Sequence, residues 1–321
     1  METKKKRIVV MGGGTGTFTV LSGLKKYPLD LSAIVAMADD GGSTGILRDE
    51  LGVLPPGDVR QCLVALSSSD KLMRDLINYR FANGHFQGHS FGNILLSALE
   101  KVTGSFDQAV EKASDILRIH GKVIPATLDK VRLVAEFEDR KIIGEGKISE
   151  SNLHGLKRIY LSPKARGNKK AIEAIGNADA IVIGPGNFYS SLIPNMLVFR
   201  IPQAVKKSKA IKIYVCNLMT RNGQTSDFTV KVFAEKIEKY LGCKLDYVIF
   251  NTKIPDSSLL KKYSLEGEKI TAIDMGLDKK KFIGADLISR KLPKISNQDM
   301  LKRTLIRHNP DKLAKIILEL I

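Results

Sequence analysis

Asp39 and Asp40, followed directly by Gly41, Gly42, Ser43 and Thr44, combine residue types that handle phosphate or a hard cation. The carboxylates could accept from ribose hydroxyls or coordinate magnesium, with Asp40 the candidate metal ligand. The diglycine leaves backbone N–H groups uncovered and able to face phosphate oxygens. A competing reading makes the acids loop caps, with Asp40 holding the N–H of Gly42 or Ser43 in an Asx-turn. The whole stretch from Met37 to Leu63 reads as a ligand loop with nothing to build a core, spending polar and glycine residues where a helix is usual. Near its end Pro55 to Asp58 make a turn, with Asp58 as N-cap of a helix burying Val59, Leu63 and Leu66. Arg60, in that helix's first turn, opposes the dipole and so suggests pairing with an Asp or a phosphate.

Further clusters have the same character. Gly12, Gly13, Gly14, Thr15, Gly16 and Thr17 place a glycine or hydroxyl at six successive positions before a helical pattern. A turn of this kind offers free N–H groups and a positive dipole end to an anion. Thr17 stands where a dinucleotide fingerprint has its third glycine, so the match to an NAD motif is imperfect, and no GK[ST] follows to make a Walker loop. Gly184, Gly186, Asn187 and Ser190 form a second glycine turn, and Asn217 and Thr220 lie in a polar segment after another apolar run. Asn93 stands at a helix start, as cap or as an amide for a ligand. His85 and His89 have glycines beside them and no third ligand nearby, which disfavours a metal site. Arg307 and His308 precede Asn309-Pro310, an N-cap with proline at N1, and are available for diphosphate contact.

These clusters need a frame, and the apolar runs supply it. Ile8 to Met11, Ile34 to Ala36, Ala180 to Ile183, Ile211 to Val215, Tyr247 to Phe250 and Ile270 to Ile273 alternate with helical patterns. That alternation predicts an α/β chain with a Rossmann-like three-layer α/β/α sandwich and a mainly parallel sheet. Ligand turns then fall at the carboxyl ends of strands, where such sheets bind ligands. Apolar residues at three- and four-residue spacing predict a helical insertion over about 66–120. Alternation from Val131 to Phe137, with a return strand over Ile142 to Ser149, predicts a small β subdomain over about 129–163. One domain spanning 1–321 is expected, since no repeat or long linker divides the chain.

The 321 residues include 43% hydrophobic side chains, enough for a large core, and three cysteines without a CxxC pair. Neither a disulfide framework nor a zinc knuckle is indicated, which fits a reducing cytoplasm. No run is long enough to span a bilayer. The net charge of +17 raises nucleic acid, anionic lipid and phosphorylated small molecules as partners. Its scattered lysines, the lack of tryptophan and the absence of an aromatic ladder weigh against a nucleic-acid groove.

Read together, GGGTGT, the DDGGSTG to PPGD-R-CL block, GHSFGN, GPG-x-x-Y-S-S-x-x-PN and the terminal RH-x-P-x-KLA resemble the YvcK or gluconeogenesis-factor branch of the CofD-like proteins. The similarity runs over nearly the whole chain. It implies a Rossmann-like fold and a cleft for a nucleotide sugar such as UDP-N-acetylglucosamine, in a regulator tied to central carbon metabolism, cell-wall supply and cell shape. Sister enzymes are transferases that join a phospholactate-type group to a deazaflavin alcohol with magnesium, so turnover stays open at this point. Carried over by position, Gly12 to Thr17 would line the phosphates, Asp39 and Asp40 would face ligand or metal, Asn217 and Thr220 would close the cleft, and Arg307 would meet the diphosphate. Protein partners of a regulator and a homo-oligomer are compatible with the resemblance. Two motifs depart from it: GPGNFYSS stands where relatives commonly have GPGSLYTS, and Arg221-Asn222-Gly223-Gln224 where they commonly have Gln-Pro-Gly-Glu.

Overall fold

In the computed structural model, which describes residues 5–290 and 305–321, the run RIVVMG forms β1 (Arg7–Gly12) at the centre of the molecule. The chain continues through α1 (Gly14–Leu24), β2 (Asp30–Val35), α2 (Gly42–Leu51), α3 (Gly57–Leu66), α4 (Lys71–Asn78), α5 (Phe91–Thr103), α6 (Phe106–Leu117) and β3 (Lys122–Pro125). Next come β4 (Arg132–Glu136), β5 (Lys141–Ile143), α7 (Glu145–Glu150), β6 (Arg158–Ser162), α8 (Lys169–Asn177) and β7 (Ala180–Ile183). A π-helical turn (Phe188–Leu192) leads into α9 (Ile193–Leu197) and α10 (Ile201–Lys207). The remainder is β8 (Ile211–Val215), α11 (Val230–Leu241), β9 (Tyr247–Asn251), α12 (Ser257–Leu265), β10 (Phe282–Ala285) and α13 (Pro310–Glu319).

Seven strands pair in the order β10-β9-β8-β7-β1-β2-β3. Every pairing is parallel, with Gly12 opposite Val35 and Met11 opposite Ile183. Parallel strands covered on both faces must be apolar on both. β1 meets that demand: Val9 and Met11 enter one core with Ile181, Ile183, Tyr214 and Phe233, while Ile8 and Val10 enter the other with Leu21, Val59, Leu63 and Leu313. The expected three-layer, mainly parallel architecture is therefore what forms. The chain builds outward from β1 to β3, then returns to β7 on the other side of β1. Strand order reverses between β1 and β7, and this topological switch point is where an open α/β sheet leaves a crevice at its carboxyl edge.

Several elements differ from the sequence expectation. Ile270 to Ile273 forms no strand; Ile270 and Ala272 make only isolated bridges, to Met219 and Thr229. The return strand ends at Ile143, and Glu145–Glu150 is helical. Met37 to Leu63 is not a coreless loop: it holds α2 and the start of α3, and Leu47, Val53 and Leu54 are buried. Gly41 serves as an extended N-cap to α2, and Gly52, in the left-handed region at φ 63°, closes the helix on Arg48 O. Glycine and hydroxyl residues hide a helix from propensity, and tertiary packing overrides it. The three strands β5-β4-β6 form a separate antiparallel sheet.

Candidate functional site

At the switch point the two glycine turns touch. A Cβ on Gly16 would lie 1.7 Å from the carbonyl oxygen of Pro185 and 3.3 Å from the nitrogen of Gly186. Only glycine admits that approach. The second turn is fixed to its neighbours: Gly184 N–H donates to Met11 O at 2.9 Å. Asn217 grips Gly186 from both sides, its Oδ1 accepting from Gly186 N–H at 3.3 Å and its Nδ2 donating to Gly186 O at 2.7 Å. Asn195, at 1% exposure, donates Nδ2 to Gly12 O at 3.1 Å and so ties the two turns from beneath.

The predicted site residues divide into those facing this crevice and those spent on bracing it. Thr17 is fully buried and donates to Gly13 O at 3.3 Å, so its hydroxyl braces α1. Thr15 is exposed and reaches Gln61 Oε1 at 3.4 Å. Gly13 and Gly14 open α1 with no side-chain cap of their own. Asn187 accepts through its backbone oxygen from Ser191 and Leu192. Thr220 pairs with the backbone of Lys269, accepting from its N–H at 3.1 Å, and thus holds the loop it lies in. Asn93 is no cap: Ser90 caps α5, and Asn93 accepts from Arg60 Nε at 2.9 Å while donating to Ser43 Oγ at 3.3 Å. Ser43 also meets His89 Nδ1 at 3.1 Å. Arg60 therefore pairs with Asn93 and Asn78, and His85 stands apart, exposed. Arg307 is half-buried, with its carbonyl accepting from Ser289 N–H. His308 is buried against Cys216 O at 3.2 Å, and burial holds its imidazole down to about 4. It is a neutral core histidine and not a diphosphate contact.

The acids are redistributed. Asp39 makes the Asx-turn expected of Asp40, accepting from Gly41 N–H at 3.0 Å. Asp40 instead accepts from Gly146 N–H at 2.9 Å and pairs with Arg132 at 3.1 Å, so both its oxygens hold α7 and the small sheet against the main layer. Arg48 adds to that joint by donating to Asp39 O and Val131 O, each at 2.7 Å. Asp58 is not an N-cap, since α3 begins one residue earlier. Its carboxyl accepts from Gly14 N–H and lies against Gly13, where a Cβ would be 2.4 Å from Oδ2. Burial, then the Asp39 charge, push the Asp58 carboxyl up to about 8.

Glu145 was missed by sequence reasoning. It sits at the start of α7, and Ser190 donates to its carboxyl. Burial foremost, then Asp39, raise it well above the usual carboxylate range, and burial also raises Asp39. These residues keep some exposure as wholes, but their carboxyl ends are enclosed. Asp39, Asp58 and Glu145 thus form a hard-oxygen set around the first glycine turn, drawn from three separate segments. Only Asp39 carried a local motif strong enough to mark it. Among the described residues no three His, Cys, Asp or Glu side chains are already arranged as a metal cage. A magnesium ion needs only one or two carboxylates when ligand phosphates and waters complete its shell. Asp39 and Asp58 suit that role better than the salt-bridged Asp40. A cavity of about 550 Å³ lies elsewhere, over the amino-terminal half of β1, β2 and β3, where Lys170 pairs with Asp107 and Glu111.

The profile of known families decides the kinship of this arrangement. A family model described as 2-phospho-L-lactate transferase CofD matches residues 8–292. The chain belongs to the CofD family. It is similar to the "Gluconeogenesis factor" of Bacillus subtilis, 38% identical over 323 residues and covering 99% of both chains. The "Gluconeogenesis factor" of Halalkalibacterium halodurans is 41% identical, with 98% of this chain and 97% of that one covered. A crystal structure of protein BH3568 from Bacillus halodurans shares the fold at a TM-score of 0.89 and 38% identity, covering 98% and 100% of the two chains. In this CofD-family chain no described helix is long and apolar enough to cross a membrane.

Proposed function

We propose that this CofD-family chain is a cytoplasmic regulatory protein of the gluconeogenesis-factor type that binds a nucleotide sugar resembling UDP-N-acetylglucosamine. The observation that carries the reading is the contact of Gly16 with Pro185, which merges two glycine turns into one crevice at the switch point. The diphosphate lies against the first glycine turn, near the positive end of α1. Magnesium on Asp39 and Asp58 offsets the charge that those carboxylates would otherwise set against the phosphates. Family kinship supports a phosphorylated ligand, and the relatives' name supports a link to gluconeogenic carbon metabolism. Through its ligand the protein senses precursor supply for the cell wall and cell shape. Isothermal calorimetry with UDP-N-acetylglucosamine and magnesium tests this; folded protein that gives no heat at millimolar ligand refutes it.

A second reading is enzymatic. Three carboxylates beside the crevice, and membership in a family described by a transferase, favour phospholactyl-type transfer to a deazaflavin or nucleotide-like acceptor. Incubation with an activated phospholactyl donor, acceptor alcohol and magnesium, followed by mass spectrometry, decides it. No condensed product over hours removes this reading and leaves the first.

A further inference from the structure

Helix α7 brings Glu145 to Ser190 and the carboxylates of the glycine crevice. A six-residue helix with Gly144 as N-cap and no side-chain cap has little stability of its own. At its amino end it is held by Asp40, through Gly146 N–H, and by Gly144 N–H donating to Leu133 O at 2.8 Å. Among the described residues its carboxyl end is held by one side chain from a distant loop. Gln224 donates Nε2 to Ile148 O at 3.0 Å, Ser149 O at 3.0 Å and Ser151 O at 3.2 Å. These carbonyls belong to the last turn and its exit, where a helix runs short of internal donors; Ile148 O also accepts from Ser151 N–H at 3.2 Å.

Gln224 is 9% exposed, and its Oε1 finds no donor among the described residues. A buried amide with an unmet acceptor is costly. An aliphatic side chain would fill the space without that cost, so the donors account for the amide. The same segment adds Gly223 O, which accepts from Leu153 N–H at 2.7 Å, and a few residues earlier Asn217 grips Gly186. Residues 217–224 therefore hold two walls of the crevice at once: the second glycine turn and the helix that carries Glu145.

We propose that Gln224 is a positioning residue that fixes α7, and with it the Glu145 carboxyl, against the glycine crevice. The ligand-dependent arm of its test rests on the nucleotide-sugar reading above; the first arm does not. In that first arm, hydrogen exchange compares wild type with Gln224→Met, similar in shape but without donors, and with Gln224→Asn, whose amide is one methylene too short. Loss of the cap is expected to speed exchange over 144–151 about tenfold in either variant that folds, with β1 and β7 unchanged. Unchanged exchange over 144–151 overturns the proposal. In the second arm, the affinity for UDP-N-acetylglucosamine is measured in a double-mutant cycle with Glu145→Gln. Gln224→Met is expected to alter affinity about fivefold or more alone and to have little effect once Glu145 is replaced. Additive effects would mean that Gln224 acts only on general stability, and would also overturn it. If the wild type shows no binding at all, the functional reading fails while the exchange arm still decides the role of Gln224.

Discussion

Replacing Gly16 by alanine tests the contact on which the crevice depends. The added Cβ would stand 1.7 Å from Pro185 O and 2.5 Å from Pro185 C, both backbone atoms. That is roughly 1.7 Å inside ordinary contact, and no rotamer relieves a methyl group. The second turn cannot easily withdraw, because Gly184 bonds to Met11 O at 2.9 Å and Gly186 is held twice by Asn217. Moving it strains or breaks two or three hydrogen bonds at about 1 kcal/mol each, and adds overpacking of about 1–3 kcal/mol. Set against about 1 kcal/mol gained by alanine in a helix, the net loss of about 2–5 kcal/mol corresponds to a melting point lower by about 3–7 °C at about 2.1 cal/mol/K of unfolding entropy per residue. Separating the two glycine turns by about 1 Å should also weaken UDP-N-acetylglucosamine binding on the order of a hundredfold. Gly176→Ala is the control. Gly176 is exposed in α8 with nothing within 4 Å of an added methyl, so alanine there should stabilise the protein by about 0.5–1 kcal/mol. Differential scanning calorimetry and ligand titration on both variants read the result. A Gly16→Ala protein that melts within a degree of wild type and binds ligand equally well refutes the merged-turn argument.

Arg132→Ala removes the partner of Asp40, whose side chain is 7% exposed against 41% for Arg132. With solvent screening discounted, urea unfolding should show a loss of about 1–2 kcal/mol, and no change would mean the joint to the small sheet lies elsewhere. His308 supplies a pH dependence: its folded value near 4 lies below the ordinary histidine value of 6.5, so it stabilises fully above pH 6.5 and that stability is lost as the pH falls toward 4. The loss reaches roughly 3 kcal/mol at the acid end, so His308→Gln should lose less than wild type between pH 6.5 and 4; parallel urea midpoints would contradict this. Asp58→Asn keeps the shape beside Gly13 and removes the carboxylate that a cation would bind, and is expected to fold while abolishing the dependence of ligand affinity on magnesium. Equal titrations with and without chelator in wild type, or an unchanged magnesium response in the variant, count against Asp58 as a cation ligand.

Much of the frame was legible because its strands announce themselves. β1, β7, β8 and β9 are short aliphatic runs bounded by glycine or polar residues, and each forms where the pattern places it. β3 and β10 were not read: KVIP ends on a proline, and FIGA is a partly exposed edge strand with a glycine inside it. The glycine turns were visible as motifs, yet their mutual contact was not, because it joins residues far apart in sequence. For the same reason, hydroxyls and amides that look ready for a ligand proved to be committed to the protein. Thr17, Asn93, Asn217 and Thr220 all satisfy backbone or side-chain partners. Only tertiary structure shows where a polar group's hydrogen bonds go. Asp58 reads locally as an N-cap, and nothing in its neighbourhood reveals the Gly14 N–H across the crevice. Glu145 lies within the stretch that reads as a return strand, Ile142 to Ser149, with no flanking motif, so no local signal identifies it.

The charge distribution narrows what the crevice can accept. A chain of net charge +17 attracts anions from a distance, while its candidate site gathers Asp39, Asp58 and Glu145. Two like charges about 4 Å apart repel by about 4 kcal/mol at an effective dielectric near 20, so a bare diphosphate meets opposition where the long-range field has delivered it. Two routes relieve that opposition: a carboxyl keeps its proton, or a cation arrives with the phosphates. Asp58 and Glu145 already favour the proton, since burial foremost raises the pH at which each ionises. A magnesium-bound nucleotide can displace those protons and meet the carboxylates as ligands, whereas inorganic phosphate, with fewer contacts and no sugar, gains less from the exchange. On the nucleotide-sugar reading the acids would therefore act as a filter set against a general attraction, admitting an anion that brings its own counter-charge and enough remaining surface to fill the crevice between the two glycine turns.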